Sequence, residues 1–159
     1  MSLSDNIKQL DEAQTIRLIV KGNEEAALYC EQFFSVCQIW DDLIDKDKEV
    51  SDSMINTMMW LTLLEMPKNR FFQQYSHELI PVMRQYVIDW FDANQYENKK
   101  DDHSLSISYV LRDSINQLLV QCAYLIGGAE WAANVSFSLR ERVHDESIAD
   151  YAAKIKEGA

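Results

Sequence analysis

From residue 5 to residue 142 the apolar side chains recur every three or four positions, in runs long enough for helices, and period-two alternation is missing. Turn residues are correspondingly scarce. Four glycines and two prolines in 159 residues cannot punctuate the many short strands of a sandwich, so the chain is expected to be all-α, a single-domain bundle of about six helices over residues 1–159. Hydrophobic residues make up 47% of it, sufficient for one ordinary core.

A first helix is expected near residues 5–21, ending at Gly22-Asn23. A second spans about 23–45, with Asn23 as its cap and Glu24 and Glu25 at the positive end of its dipole. Ser51, Asp52 or Ser53 caps a third, which carries Met54, Ile55, Met58, Met59, Trp60, Leu61, Leu63 and Leu64 and is expected to stop before Pro67. It is apolar nearly all round, which places it at the centre of a bundle or at a subunit contact. Phe72, Tyr75, Leu79, Val82, Tyr86 and Trp90 continue the helical rhythm, with a kink or break expected at Pro81. The polar stretch near 92–103 reads as a long exposed loop. Beyond it, Ile107, Leu111, Ile115, Leu118, Leu119, Cys122, Leu125 and Ile126 share one face of a helix closed by Gly127-Gly128. Another helix starts near Ala129, and a short one is expected over residues 147–156.

The chemistry concentrates at Asp41, Asp42 and Asp45, three carboxylates on the last turns of the second helix. Like charges at i,i+3 and i,i+4 repel, and a helix C-terminus disfavours acids further. On a wheel at about 100° per residue, Asp41 falls inside the apolar arc formed by Ala26, Tyr29, Cys30, Phe33, Val36, Cys37, Trp40 and Ile44. Asp45 lies on its border, and Asp42 points towards the polar side. A buried carboxylate at Asp41 requires a cation, an arginine or several donors. Two partners fit that need: a Mg²⁺ ion held by Asp41 and Asp45 with Asp42 assisting, or the guanidinium of Arg112, one turn before Asn116 on another helix. The acidic run continues through Asp47, Glu49 and Asp52, but Val50 replaces the glycine of a calcium loop and Asn56 its bidentate glutamate.

The segment Phe33 to Asp45, with adjacent aspartates and a third three positions later, resembles the aspartate-rich helix end of class I isoprenoid synthases. That resemblance implies Mg²⁺ held against a substrate diphosphate. The chain is about half the length of that fold, and a second aspartate-rich or Asn-Ser-Glu motif is missing; Arg112-Asp113-Ser114-Ile115-Asn116 does not fit its spacing. The run Ile39 to Lys48 also resembles a segment of small all-helical proteins encoded by bacteriophages and prophages, which implies such an origin without an activity.

A net charge of −11 offers no basic stripe for nucleic-acid phosphates. No apolar run reaches the length of a membrane span and the N-terminus lacks a signal peptide's blocks, so the expected compartment is the cytoplasm. Cys30 and Cys37 stand roughly 10 Å apart along one helix, too far for a disulfide, and with Cys122 read as reduced core thiols. His77, His103 and His144 form no metal pattern, and no phosphate loop or nucleophile elbow occurs. The expected function is therefore a protein-interaction or assembly module of phage or prophage origin that self-associates or binds a protein partner. The alternative is a Mg²⁺-dependent enzyme acting on a phosphate or diphosphate substrate.

Overall fold

The computed structural model describes residues 2–46 and 48–157. These are 86% helical and contain no strand, as the apolar periodicity predicts. Seven continuous helical runs result: α1 Leu3–Gln9, α2 Glu12–Ile19, α3 Glu24–Asp45, α4 over 52–68, α5 Arg70–Glu97, α6 over 102–143 and α7 Ile148–Glu157. The run α4 contains a π-helical turn at Leu61–Glu65, and α6 a 3-10 segment at Arg112–Asn116. Two compact units are formed, residues 12–77 and residues 1–11 with 78–159.

Several helix ends follow from local chemistry. Ser2 and Asp5 make a reciprocal capping box on α1. Asn23 accepts the Ala26 amide at 3.0 Å to start α3, and Ser51 accepts the Met54 amide at 3.3 Å to start α4. The single N-terminal helix expected over 5–21 is instead two helices, because Leu10 is extended (φ −98°, ψ 149°). Ile7 is buried in one unit while Ile16 and Ile19 are buried in the other, so the two halves serve different cores.

In the unit of residues 12–77, α2 packs on α3, and α3 lies against parts of α4. Ala26, Ala27, Tyr29, Cys30, Phe33 and Cys37 form its buried stripe, and the Tyr29 ring stacks on Phe72 at 5.1 Å. The three cysteines are free and buried. Helix α4 does not stop before Pro67. Met66 N–H reaches back to the Leu61 carbonyl, an i→i+5 turn wide enough to seat the proline ring that an α-turn would press on its preceding carbonyl.

Asn69 joins the start of α5 to that of α3. Its Oδ1 accepts the Phe72 amide at 2.9 Å, its Nδ2 donates to the Glu25 carbonyl at 2.9 Å, and Glu25 Oε2 accepts the Arg70 amide at 3.1 Å. The side chain is buried, so its loss strands the Glu25 carbonyl as well as the cap. Asn69→Ala is expected to lower stability by about 1.5 kcal/mol in urea titration, and Asn69→Asp, which keeps the cap oxygen, by less.

Pro81 lies inside α5 without the expected kink at that position. The non-helical residue is Tyr75 (φ −119°, ψ 17°), more than a turn earlier, where its ring packs on Phe71 at 4.9 Å. The loop expected near 92–103 also shrinks. Helix continues to Glu97 and resumes at Asp102, with Asp101 accepting the Ser104 amide at 2.9 Å. Burial of Trp90 and Ala93 explains the extension, since a helix with an apolar stripe tolerates polar residues on its other faces.

In the unit of residues 1–11 and 78–159, α1 packs on the later part of α6, where Ser4 Oγ meets Ser138 Oγ at 3.0 Å, and α7 packs on the first part of α6. Leu105, Leu118, Leu119, Cys122 and Val135 are fully or almost fully buried. Gly128 interrupts α6 where the sequence expects a break, at φ 80° and ψ −176°.

Candidate functional site

The end of α3 keeps its three aspartates, but turns them differently from the wheel. Asp42 is the buried acid at 4% exposure, Asp41 is half-buried and Asp45 is exposed. The correction has a geometric cause: the buried positions drift from Cys30, Phe33 and Cys37 to Ile39 and Asp42 along the helix, so the last turns bury a neighbouring face. Gln38 Nε2 donates to Asp42 Oδ1 at 2.9 Å, and Lys48 Nζ lies 3.5 Å from the same oxygen. Asp42 thus meets a lysine from the following loop and an amide one turn back on its own helix. Lys46, left-handed at φ 58°, ends the helix and lets the chain fold back for that contact. Among the described residues no group of three or more histidine, cysteine, aspartate or glutamate side chains could hold a metal ion. Asp47 lies outside the described residues.

Arg112 does hold a carboxylate, that of Glu97. Its Nε and Nη2 donate to the two Glu97 oxygens at 3.0 and 2.8 Å, and Nη2 also reaches Asn94 Oδ1 at 2.5 Å. Ser108 Oγ donates to Glu97 Oε1 at 3.0 Å, and the Tyr151 hydroxyl of α7 donates to the same oxygen. The Arg112 guanidinium also stands 5.9 Å from the Trp90 ring centre. With side-chain exposures of 24% and 16%, Arg112 and Glu97 form a largely desolvated bidentate pair.

Burial alone would push the Glu97 carboxyl up; hydrogen bonds from Arg112 and Tyr151, the Arg112 charge and Ser108 outweigh it and hold the group below its ordinary range. Burial opposes the charge on Arg112, yet Glu97 raises its pKa above the usual guanidinium value. Tyr151 is pushed up to about 12, by burial first and then by its bond to Glu97.

A second cluster sits alongside. Asp113, 5% exposed, accepts from Arg140 Nε at 3.0 Å and lies 3.2 Å from His144 Nε2. The His144 ring packs on Tyr109 at 4.4 Å, and the Tyr109 hydroxyl donates to the Glu146 carbonyl. Here the 3-10 segment matters. Ser108 is already buried on the preceding α-helical stretch, where Ile107 and Leu111 are half-buried, and within the segment three residues per turn rotate the face so that Asp113 and Ser114 are buried in place of Ile115. Asn116, the expected companion of Arg112, closes this segment half-buried.

Glu97 already receives donors from three side chains, an arrangement that fastens α5, α6 and α7 together. Glu97 and Tyr151 escaped the sequence reading, and Asp113 and His144 entered it only as members of metal motifs that do not fit; the continuation of the Trp90 stripe through Ala93, with Asn94 and Glu97 one turn apart, is the signal for the first.

The third feature is a surface. The stretches Asp52–Trp60 and Leu61–Glu65 contain no buried residue, and Met59, Trp60, Leu63 and Leu64 are 48%, 59%, 62% and 47% exposed. The Trp60 Nε1–H donates to Glu65 Oε1 at 2.9 Å, and Glu65 pairs with Lys68 at 2.7 Å. The indole's polar group is thus satisfied within its own helix. No described helix is long and apolar enough to cross a membrane. No family model, curated protein or solved structure matches the chain.

Proposed function

We propose that this chain is a protein-association module that self-associates through α4, of the phage or prophage kind that its segment Ile39 to Lys48 resembles. The observation that carries the reading is the exposure of Met59, Trp60, Leu63 and Leu64 on a helix with no buried residue before Met66. An all-round apolar helix suits either a bundle centre or a subunit contact, and its exposure favours the second.

Charge supports the same choice. The net charge of −11 opposes the approach of a second copy over most of the surface, but residues 53–64 carry no charged side chain. Two such helices can meet without burying a carboxylate. Tryptophan beside aliphatic side chains is also the composition of an interface anchor.

Sedimentation velocity tests the proposal. The wild type is expected to show concentration-dependent dimers at micromolar loading, and Trp60→Glu with Leu63→Glu is expected to run as the 18.5 kDa monomer. Both positions are exposed, so unchanged far-UV circular dichroism should accompany the loss. A wild type that stays monomeric at several hundred micromolar would overturn the reading.

A further inference from the structure

Helix α5 carries a second exposed apolar stripe. Ile80, Val87, Ile88 and Phe91 are 48%, 38%, 45% and 55% exposed, and with Arg84 they follow one another at i, i+4, i+7, i+8 and i+11. That is the three-and-four spacing of a seam by which one helix packs along another. Leu79, Tyr86, Trp90 and Ala93 are buried on a different side of α5, so the stripe is surplus to the core.

The charge inside the stripe decides what can cover it. Arg84 is exposed, and among the described residues it meets no carboxylate. A covering surface must therefore bring an acid to that point, and a basic partner, which the net charge of −11 would otherwise attract, is repelled there. The chain itself holds the complementary group. Asp92 is exposed, meets no cation among the described residues, and stands one turn beyond Ile88 on the border of the stripe. Arg84 and Asp92 lie four residues to either side of Ile88, about 6 Å each way along the helix. A two-fold axis through Ile88 relating two antiparallel copies lays Arg84 of each beside Asp92 of the other, with Phe91 against the Arg84 side chain. Parallel pairing would set Arg84 against Arg84.

We propose that the exposed stripe of α5 is a contact between two copies of this chain, antiparallel and two-fold about Ile88, closed by two reciprocal Arg84–Asp92 ion pairs. Four apolar side chains from each copy make a small interface, so the contact is weaker than that of α4 and belongs in the submillimolar range. Its consequence is growth past the dimer. Copies joined through α4 are linked onward through α5, because the two contacts use different helices. The α5 contact itself does not rest on the α4 reading.

Sedimentation equilibrium of the full chain carrying Trp60→Glu with Leu63→Glu, which removes the α4 contact, isolates the α5 one. A monomer–dimer equilibrium with a Kd of about 0.5 mM is expected. Adding Arg84→Glu or Asp92→Arg should each weaken it at least about tenfold, since either reversal sets two like-charged pairs across the axis. An equimolar mixture of the two reversed chains should dimerise about as well as their parent, because each copy then meets its opposite charge. Both positions are exposed, so far-UV circular dichroism should match the parent. A parent that stays monomeric at about 5 mM, reversals without effect, or a mixture no tighter than its components would each overturn the assignment.

Discussion

Arg112→Ala is expected to lower the unfolding free energy by about 3 kcal/mol, a fall in Tm of roughly 6–12 °C for a chain of this size. The effect is large because the substitution removes both guanidinium donors from Glu97, sparing only the hydroxyls of Ser108 and Tyr151, and leaves its charge without a cation in a site only 16% exposed. It also frees Asn94, which shares the same guanidinium. Glu97→Gln keeps the shape and removes the charge, at a cost of about 1.5 kcal/mol. Because the two residues form one pair, the double variant should lose at least about 1 kcal/mol less than the sum of the singles. Urea unfolding of the four proteins measures that coupling. Additive losses would show that Arg112 acts by packing on Trp90 alone.

The same network dictates a pH dependence. Glu97 is held below its ordinary value in the folded state, so its contribution is complete above the unfolded value near 4.5 and disappears as pH falls through the lower folded pKa. Tyr151 has the opposite sign. Its folded pKa, raised from 10.0 to about 12, makes a contribution that is complete below pH 10 and lost as pH rises towards 12. Tyr151→Phe should therefore remove part of the alkaline decline and leave the acid side governed by Glu97. Denaturant midpoints recorded across both limbs provide the comparison.

The second large effect is expected at Gly128. At φ 80° and ψ −176° it occupies a region that residues with a Cβ essentially do not enter, and a Cβ there would meet nothing within 4 Å. Gly128→Ala should thus cost about 2 kcal/mol through backbone strain alone, roughly 4–8 °C in Tm. Gly127 provides the contrast. An added Cβ there would lie 2.4 Å from Trp131 Cδ1 and 2.7 Å from its Cγ, so the cost is steric. Trp131→Ala should relieve part of the cost of Gly127→Ala, since the Trp131 Cβ at 2.9 Å remains, and leave the cost of Gly128→Ala unchanged, which thermal melts of the double variants can check.

Helix content, the Asn23 and Ser51 caps, the break at Gly128 and the terminal helix were all legible in the sequence, because each depends on residues within a turn or two of one another. The misread elements share a different property. The split at Leu10, the helical stretch from Asp92 to Glu97 and the straight passage through Pro81 depend on which distant surface each turn packs against. Polar composition made residues 92–97 resemble a loop, yet Asn94 and Glu97 are held by Arg112 from the next helix.

The candidate site divides along the same line. Asp41 and Arg112 were visible as charges whose burial would need a partner, since the physics of a desolvated charge is the same in any fold, whereas Glu97 was not. Pairing was a tertiary decision. The 3-10 segment turns Arg112 to Glu97, the drift of the α3 stripe buries Asp42 in place of Asp41, and Lys48 returns to meet it. A helical wheel assumes one uniform twist and one buried face along a helix, whereas a long helix changes neighbours along its length, and a few residues at three per turn suffice to rotate the face presented. Local spacing therefore determined which residues could be helical and which charges needed an answer; only the packing of the helices decided which charge met which.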